Sequence, residues 1–282
     1  MKKERLTWSP DDLAVNETGP WAEEKYRVLA SYLDMFSTAM KLRWDKRVCI
    51  DLYAGPGCTV VRETKQWFRG SPLLALSVKD SFDKYIFCER DETNIAALKE
   101  RVRRHHNDLD VSFVEGDCTS QVDEILEKIP PHSRSQKVLS FCFVDPFSLD
   151  MHFATIEALS AKFMDFLVLL ALDMDARRNL KNYFRSTSTK VDLFLGLADW
   201  RERWKGFSQA DNSFQRFLAA EFEKQMISLG YRRHSRANTK HIYTLDRNLP
   251  LYHLAYFSRH SKGYEFWDEC LNDSSAQQSF DF

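Results

Sequence analysis

Apolar and polar positions alternate along this chain in two periods. Between residues 21 and 43, Leu29, Leu33, Phe36 and Met40 recur at three- and four-residue spacing, which predicts an amphipathic N-terminal helix after the turn-like NETGP at 16–20. Five apolar runs follow, RVCIDLYA, KYIFCER, DVSFVEGD, KVLSFCFVDPF and MDFLVLLALDMD, each short enough for a strand, and 137–147 is almost continuously apolar, as in a parallel sheet covered on both faces. Helical patterns stand between them at 70–78, 91–104, 119–129 and 151–163, with Ser71 and Pro72 as cap and first turn of one. Strand and helix in series predict an α/β fold with an open, doubly wound, mostly parallel sheet rather than a barrel.

Past residue 175 the pattern breaks. Polar, aromatic and basic stretches up to about 230 read as a helical cap or insertion, and KHIYTL and LYHLAYFS, separated by DRNLP, read as an antiparallel C-terminal hairpin finishing the sheet edge. The tail SSAQQSFDF reads as a frayed end. The expected organisation is a single domain over 1–282 with no repeat.

Composition narrows the setting. With 282 residues and 44% hydrophobic side chains the chain can build a sizeable core, and 40 basic against 41 acidic residues leave no global field to draw it to nucleic acid or an anionic membrane. MKKERLTWSPDD lacks the apolar core of a signal peptide and no apolar run approaches a membrane span, so a cytoplasmic protein is expected. Six cysteines without a C-x-x-C pair or nearby histidine at ligand spacing read as reduced thiols and give no metal site. Cys49, Cys88 and Cys142 lie in strand-like runs as small hydrophobes; Cys58, directly after Gly57, either packs or faces a ligand.

Candidate chemistry gathers where the strands end. Asp51 closes the first run, Glu89 the second, Asp117 follows the third and Asp145 the fourth, and ligands of open α/β sheets bind beyond the carboxyl ends of their strands. One such acid reads as a cap or solvated loop residue; four at equivalent places suit a ligand carrying an amine, a ribose and a sulfonium, namely S-adenosylmethionine. Gly55 and Gly57 of DLYAGPG allow close backbone approach, or a tight turn alone. The stretch from Gly57 to Gly70 delays the next helix and reads as a surplus loop forming a lid or substrate wall.

The segments IDLYAGPG, GSPLLAL, FCERD, FVDPFS and YFSRHSKGYEFW, spread over most of the chain, resemble the three-Cys-motif partner (TcmP) family and, more broadly, Rossmann-type S-adenosylmethionine-dependent methyltransferases. That resemblance implies S-adenosylmethionine as cofactor and a three-Cys-motif, radical-SAM-like protein as partner, the three cysteines belonging to that neighbour. By the match, Asp51, Tyr53, Gly55, Gly57, Glu89 (ribose) and Asp117 (adenine) bind cofactor, while Asp145, Pro146 and Phe147 stand at the methyl-transfer site. The chain departs from the family pattern in reading Trp21-Ala22 for His-Thr before Lys25, and DPFS for DPFG, so Ser148 puts the tight turn in question.

DPFS also resembles the Asp-Pro-Pro-Tyr motif of amino-group methyltransferases, with Phe147 as a ring stacking on the acceptor base or, alternatively, a core residue after the proline. Arg101, Arg103 and Arg104; Arg177, Arg178 and Lys181 with Tyr183; and Arg232, Arg233 and Arg236 read as solvated faces or, with Trp200 and Trp204 as stacking groups, as a nucleic-acid track. His253 and His260 read as structural. The functional expectation is a methyltransferase acting on nucleic acid or a partner-bound substrate; the alternative is a noncatalytic, cofactor-binding scaffold. A nicotinamide oxidoreductase would need a third glycine opening a helix immediately after the first strand, which is absent.

Overall fold

A computed structural model describes residues 5–185, 187–208, 213–233, 239–243 and 250–278. The chain opens with a short strand β1 (Asn16–Thr18) and helix α1 (Ala22–Met40), whose buried Tyr26, Leu29, Tyr32, Leu33 and Phe36 keep the expected spacing. Strand β2 (Lys46–Asp51) follows, then β3 (Cys58–Val61), β4 (Trp67–Arg69) and helix α2 (Ser71–Leu76), which has Pro72 in its first turn as expected but is capped by Gly70 rather than Ser71. Next come β5 (Lys84–Glu89), α3 (Glu92–His105), β6 (Val111–Glu115), α4 (Val122–Lys128), β7 (Val138–Val144), α5 (Phe153–Leu159) and β8 (Met164–Leu170). Asp91 caps α3 by accepting the Asn94 N–H at 2.8 Å, and Arg103, Arg104 and His105 in its last turn suit the negative end of the helix dipole.

Among the described residues, helices α6 (Leu172–Tyr183), α7 (Lys190–Leu195), α8 (Trp200–Ser208) and α9 (Phe214–Ser228) then stand between β8 and the antiparallel pair β9 (Thr239–Tyr243) and β10 (Pro250–Phe257), and α10 (Ser261–Gln278) follows. The seven strands of the main sheet run β6-β5-β2-β7-β8-β10-β9; the first five are parallel, and β10 is antiparallel to both neighbours. This is the expected doubly wound, Rossmann-like sheet, mostly parallel with an antiparallel C-terminal hairpin. The hairpin connection, 244–249, lies outside the described residues.

Alternation along the central strands sorts the core into two layers. Cys49, Phe141 and Phe143 face α1, α2, α3 and α10, whereas Val48, Ile50, Cys142 and Val144 face α4, α5 and the later helices. Burial on both sides explains why these strands read as apolar runs. Helices α6 to α9 cover the second of these faces, with Phe222 against Phe153, Phe194 and Phe257.

Two expectations are corrected. The stretch from Gly57 to Gly70 is no surplus loop: β3 and β4 form a hairpin, and β3 pairs in parallel with β1 in a separate three-stranded sheet. Its strands are three or four residues long, too short for their alternation to stand out, yet Cys58, Val60, Val61 and Phe68 are buried. The tail is helical as far as Gln278, its last residues 279–282 lying outside the described ones.

Candidate functional site

At the carboxyl ends of β6, β5, β2 and β7 stand Asp117, Glu89, Asp51 and Asp145, in that spatial order. Three interstrand steps of about 4.8 Å give the row a length of about 14 Å. Because the chain leaves β2 towards β5 and returns beside β2 as β7, the row crosses the point where strand order reverses, the place at which open α/β sheets form their ligand crevice.

Each acid is held differently. Glu89 Oε2 accepts the Gly55 N–H at 2.7 Å and Oε1 the Asp91 N–H at 2.8 Å, so the second strand's acid ties the glycine loop to the start of α3. Asp117, exposed after Gly116, accepts the Thr119 N–H at 2.9 Å. Asp51 is only 2% exposed; Oδ1 accepts the Tyr53 N–H at 3.1 Å, and Oδ2 is buried with no partner of hydrogen-bond geometry. Burial pushes its carboxyl up to about 7, the Asp145 and Glu89 charges adding to the rise, while the nearby Ser71 hydroxyl and the Tyr53 N–H oppose it.

Asp145 has a partner that the four-acid reading left out. Lys25, on α1, donates from Nζ to Asp145 Oδ2 at 2.7 Å, and the ammonium lies 4.6 Å from the Tyr26 ring centroid. Burial works against the Lys25 charge, yet the Asp145 carboxylate holds its pKa above the ordinary lysine range. The signal in the sequence was a lysine in the first turn of α1, the helix that precedes β2; nothing local in the sequence pairs it with a residue 120 positions later.

Beyond Asp145 the chain buries Pro146 and turns Phe147 outward, 86% exposed. The core alternative for Phe147 is thereby excluded. Ser148, the departure from glycine, donates to Asp150 at 2.6 Å and accepts from Lys190 Nζ at 3.0 Å, while Lys190 and Asp150 form an ion pair at 2.7 Å. A hydroxyl thus ties this turn to α7, a link that spacing alone did not reveal.

The glycines are required by the backbone. Gly55 and Gly57 adopt φ of 61° and 90°, and a Cβ on Gly57 would come within 2.9 Å of Leu98 Cδ1. Gly70 closes on the same loop, its N–H donating to the Gly57 carbonyl at 2.7 Å. Tyr53 is half-buried over Cys118 and Asp117, with burial raising its phenol.

Several other candidates fall outside the site. Arg101 is fully buried and donates to both Asp11 oxygens and to the carbonyls of Ala14 and Pro56, while Arg103 and Arg104 are paired with Glu100 and Asp12. Arg101 is therefore a core clamp, whereas Arg103 and Arg104 form the solvated face expected for this stretch, their charges paired with neighbouring acids. Trp200 is fully buried and Trp204 packs on Phe214 and Phe217, so neither offers a stacking face. The side chains of Arg177 and Arg178, and Arg236 altogether, lie outside the described residues. All six cysteines are free and buried, and burial lifts Cys58 to about 12, which makes it a packing residue.

The segment YFSRHSKGYEFW lies mainly at the opposite end of the sheet. Tyr256 Oη donates to Asp165 at 2.8 Å, Tyr264 Oη to the Arg232 carbonyl at 2.8 Å, and Arg259 to the carbonyls of Ser160, Lys162 and Leu229. His260 accepts the Lys262 N–H within this lock, whereas His253 pairs opposite Leu170 at the carboxyl end of β8.

No family model matches the sequence, and no curated protein matches it. Among solved structures, LPL1258 from Legionella pneumophila is similar at 12% identity over 89% of this chain and 91% of its own, with a TM-score of 0.49. The METTL16 MTase domain is similar at 12% identity over 88% and 74%, TM-score 0.45. Precorrin-6y C5,15-methyltransferase from Geobacter metallireducens is similar at 12% identity over 90% and 95%, TM-score 0.41.

The residues present fit S-adenosylmethionine on chemical grounds. A buried carboxylate oxygen without a partner and acids at the carboxyl ends of four adjacent strands match a cation-bearing nucleoside. Among the described residues no helix is long and apolar enough to cross a membrane, and no group of three or more potential metal ligands comes together.

Proposed function

We propose that the protein is an S-adenosylmethionine-dependent methyltransferase whose acceptor is an N–H group on a planar ring. The observation that carries the reading is the spatial order Asp117, Glu89, Asp51, Asp145, ending on the exposed Phe147. Asp117 would accept from the adenine amine and Glu89 from the ribose hydroxyls, while Asp51 faces the cationic end. The bound cofactor supplies an electrophilic methyl group.

On the acceptor side, Asp145 accepts from the target N–H through the oxygen that Lys25 leaves free, and Phe147 stacks on the ring that carries it. Pro146 fixes the backbone between them. Alignment and exclusion of water supply the catalysis, and no covalent attachment to the protein is needed. A base of a nucleic acid, or a ring presented by a partner protein, meets this description. The resemblance of IDLYAGPG, FCERD and FVDPFS to the three-Cys-motif partner family supports a radical-SAM-like companion that presents the acceptor.

Calorimetric titration with S-adenosylhomocysteine tests the cofactor half. Wild type should bind at micromolar concentration and Glu89→Ala should weaken binding by about tenfold or more, the weight of a charge-assisted bond. A folded wild-type protein that binds neither S-adenosylhomocysteine nor S-adenosylmethionine would overturn the methyltransferase reading and leave the scaffold.

A further inference from the structure

Lys25 is the one cation that an ion pair ties to the row of acids among the described residues; the other three carboxylates are bonded to backbone N–H groups. Its side chain is only 14% exposed, so the ammonium has lost most of its water. An ammonium has three donors, and Asp145 Oδ2 takes one of them. A desolvated cation with donors to spare, beside the crevice between β2 and β7, is a receptor for an anion.

The ligand proposed above carries one anionic group, the carboxylate of its amino-acid end. Four protein carboxylates line the crevice, and this group would be repelled anywhere along the row except next to a positive charge. We propose that Lys25 binds that carboxylate and so fixes the direction in which the cofactor lies: adenine towards Asp117, amino-acid end towards α1 and Asp145. This rests on the cofactor reading and extends it to a residue outside the four acids. The Tyr26 ring, its centroid 4.6 Å from the ammonium, holds that charge in place by a cation–π contact.

The test compares two probes, S-adenosylhomocysteine and 5′-methylthioadenosine, which share the nucleoside and differ in the amino-acid end. Calorimetry on wild type should show S-adenosylhomocysteine bound more tightly. Lys25→Met should lose about tenfold or more of its affinity for S-adenosylhomocysteine while 5′-methylthioadenosine binds within about twofold of wild type. Lys25→Arg, which keeps the charge, should retain the preference and covers the case in which the methionine variant does not fold.

Three outcomes overturn the assignment in distinguishable ways. Undiminished S-adenosylhomocysteine binding in Lys25→Met sinks the role of Lys25 and leaves the cofactor site standing. Equal loss of both probes in Lys25→Met, with the preference also gone in Lys25→Arg, shows that Lys25 acts only by holding Asp145 and α1 in place. Failure of folded wild type to bind either probe removes the cofactor reading itself.

Discussion

Asp51 shows how a single residue reports its surroundings through pH. Its folded value of about 7 stands above the usual carboxyl value of about 3.9, so over the interval between them the folded state keeps a proton that the unfolded chain has released. Stability is then fully present below about pH 4 and is lost as pH rises through about 7. Urea unfolding of the unliganded protein should show this decline, and Asp51→Asn should flatten it, matching wild type near pH 4 and exceeding it at pH 8. At this scale the acids were legible because each follows an apolar run. Lys25 and Arg101 were not: a lysine or arginine on a helix reads the same whether it meets water or a partner some 90 to 120 positions away.

Among the elements, the hairpin β3–β4 is the feature whose placement depends most on distant contacts. Arg101 reaches from α3 to Asp11, Ala14 and Pro56, so one guanidinium joins the segment before β1 to the glycine loop before β3. Burial works against the Asp11 charge, but its bonds to Arg101 hold the carboxyl below its ordinary range. Removing one side of a buried pair costs about 3–5 kcal/mol, and Arg101→Met should lose stability of that order in urea unfolding. Cofactor affinity should fall with it, because Pro56 sits between the two glycines of the site. The five parallel strands were legible because both faces are covered and their apolar runs are long. The hairpin was not, since its short strands are held by β1 and by a buried arginine rather than by a periodic pattern of their own.

For the whole molecule, the contact between α1 and α10 joins segments far apart in sequence. Trp267 is fully buried, with ring centroids 5.6 Å from both Tyr32 and Tyr256. Trp267→Ala should cost about 3–5 kcal/mol, read as a lower urea midpoint with an unchanged dependence on pH around Asp51. The doubly wound order was legible in the alternation of strand and helix; the docking of α10 on α1 was not, because nothing local in YEFW names its partner. That docking sets a timetable for synthesis. Residues 41 to 260 must emerge before α10 can reach α1, and at roughly 5–20 residues per second the apolar flank of the first helix waits about 10 to 45 s for its cover. During that wait the nascent chain offers Tyr32, the α1 ring that packs on Trp267, to whatever chaperone stands at the ribosome exit.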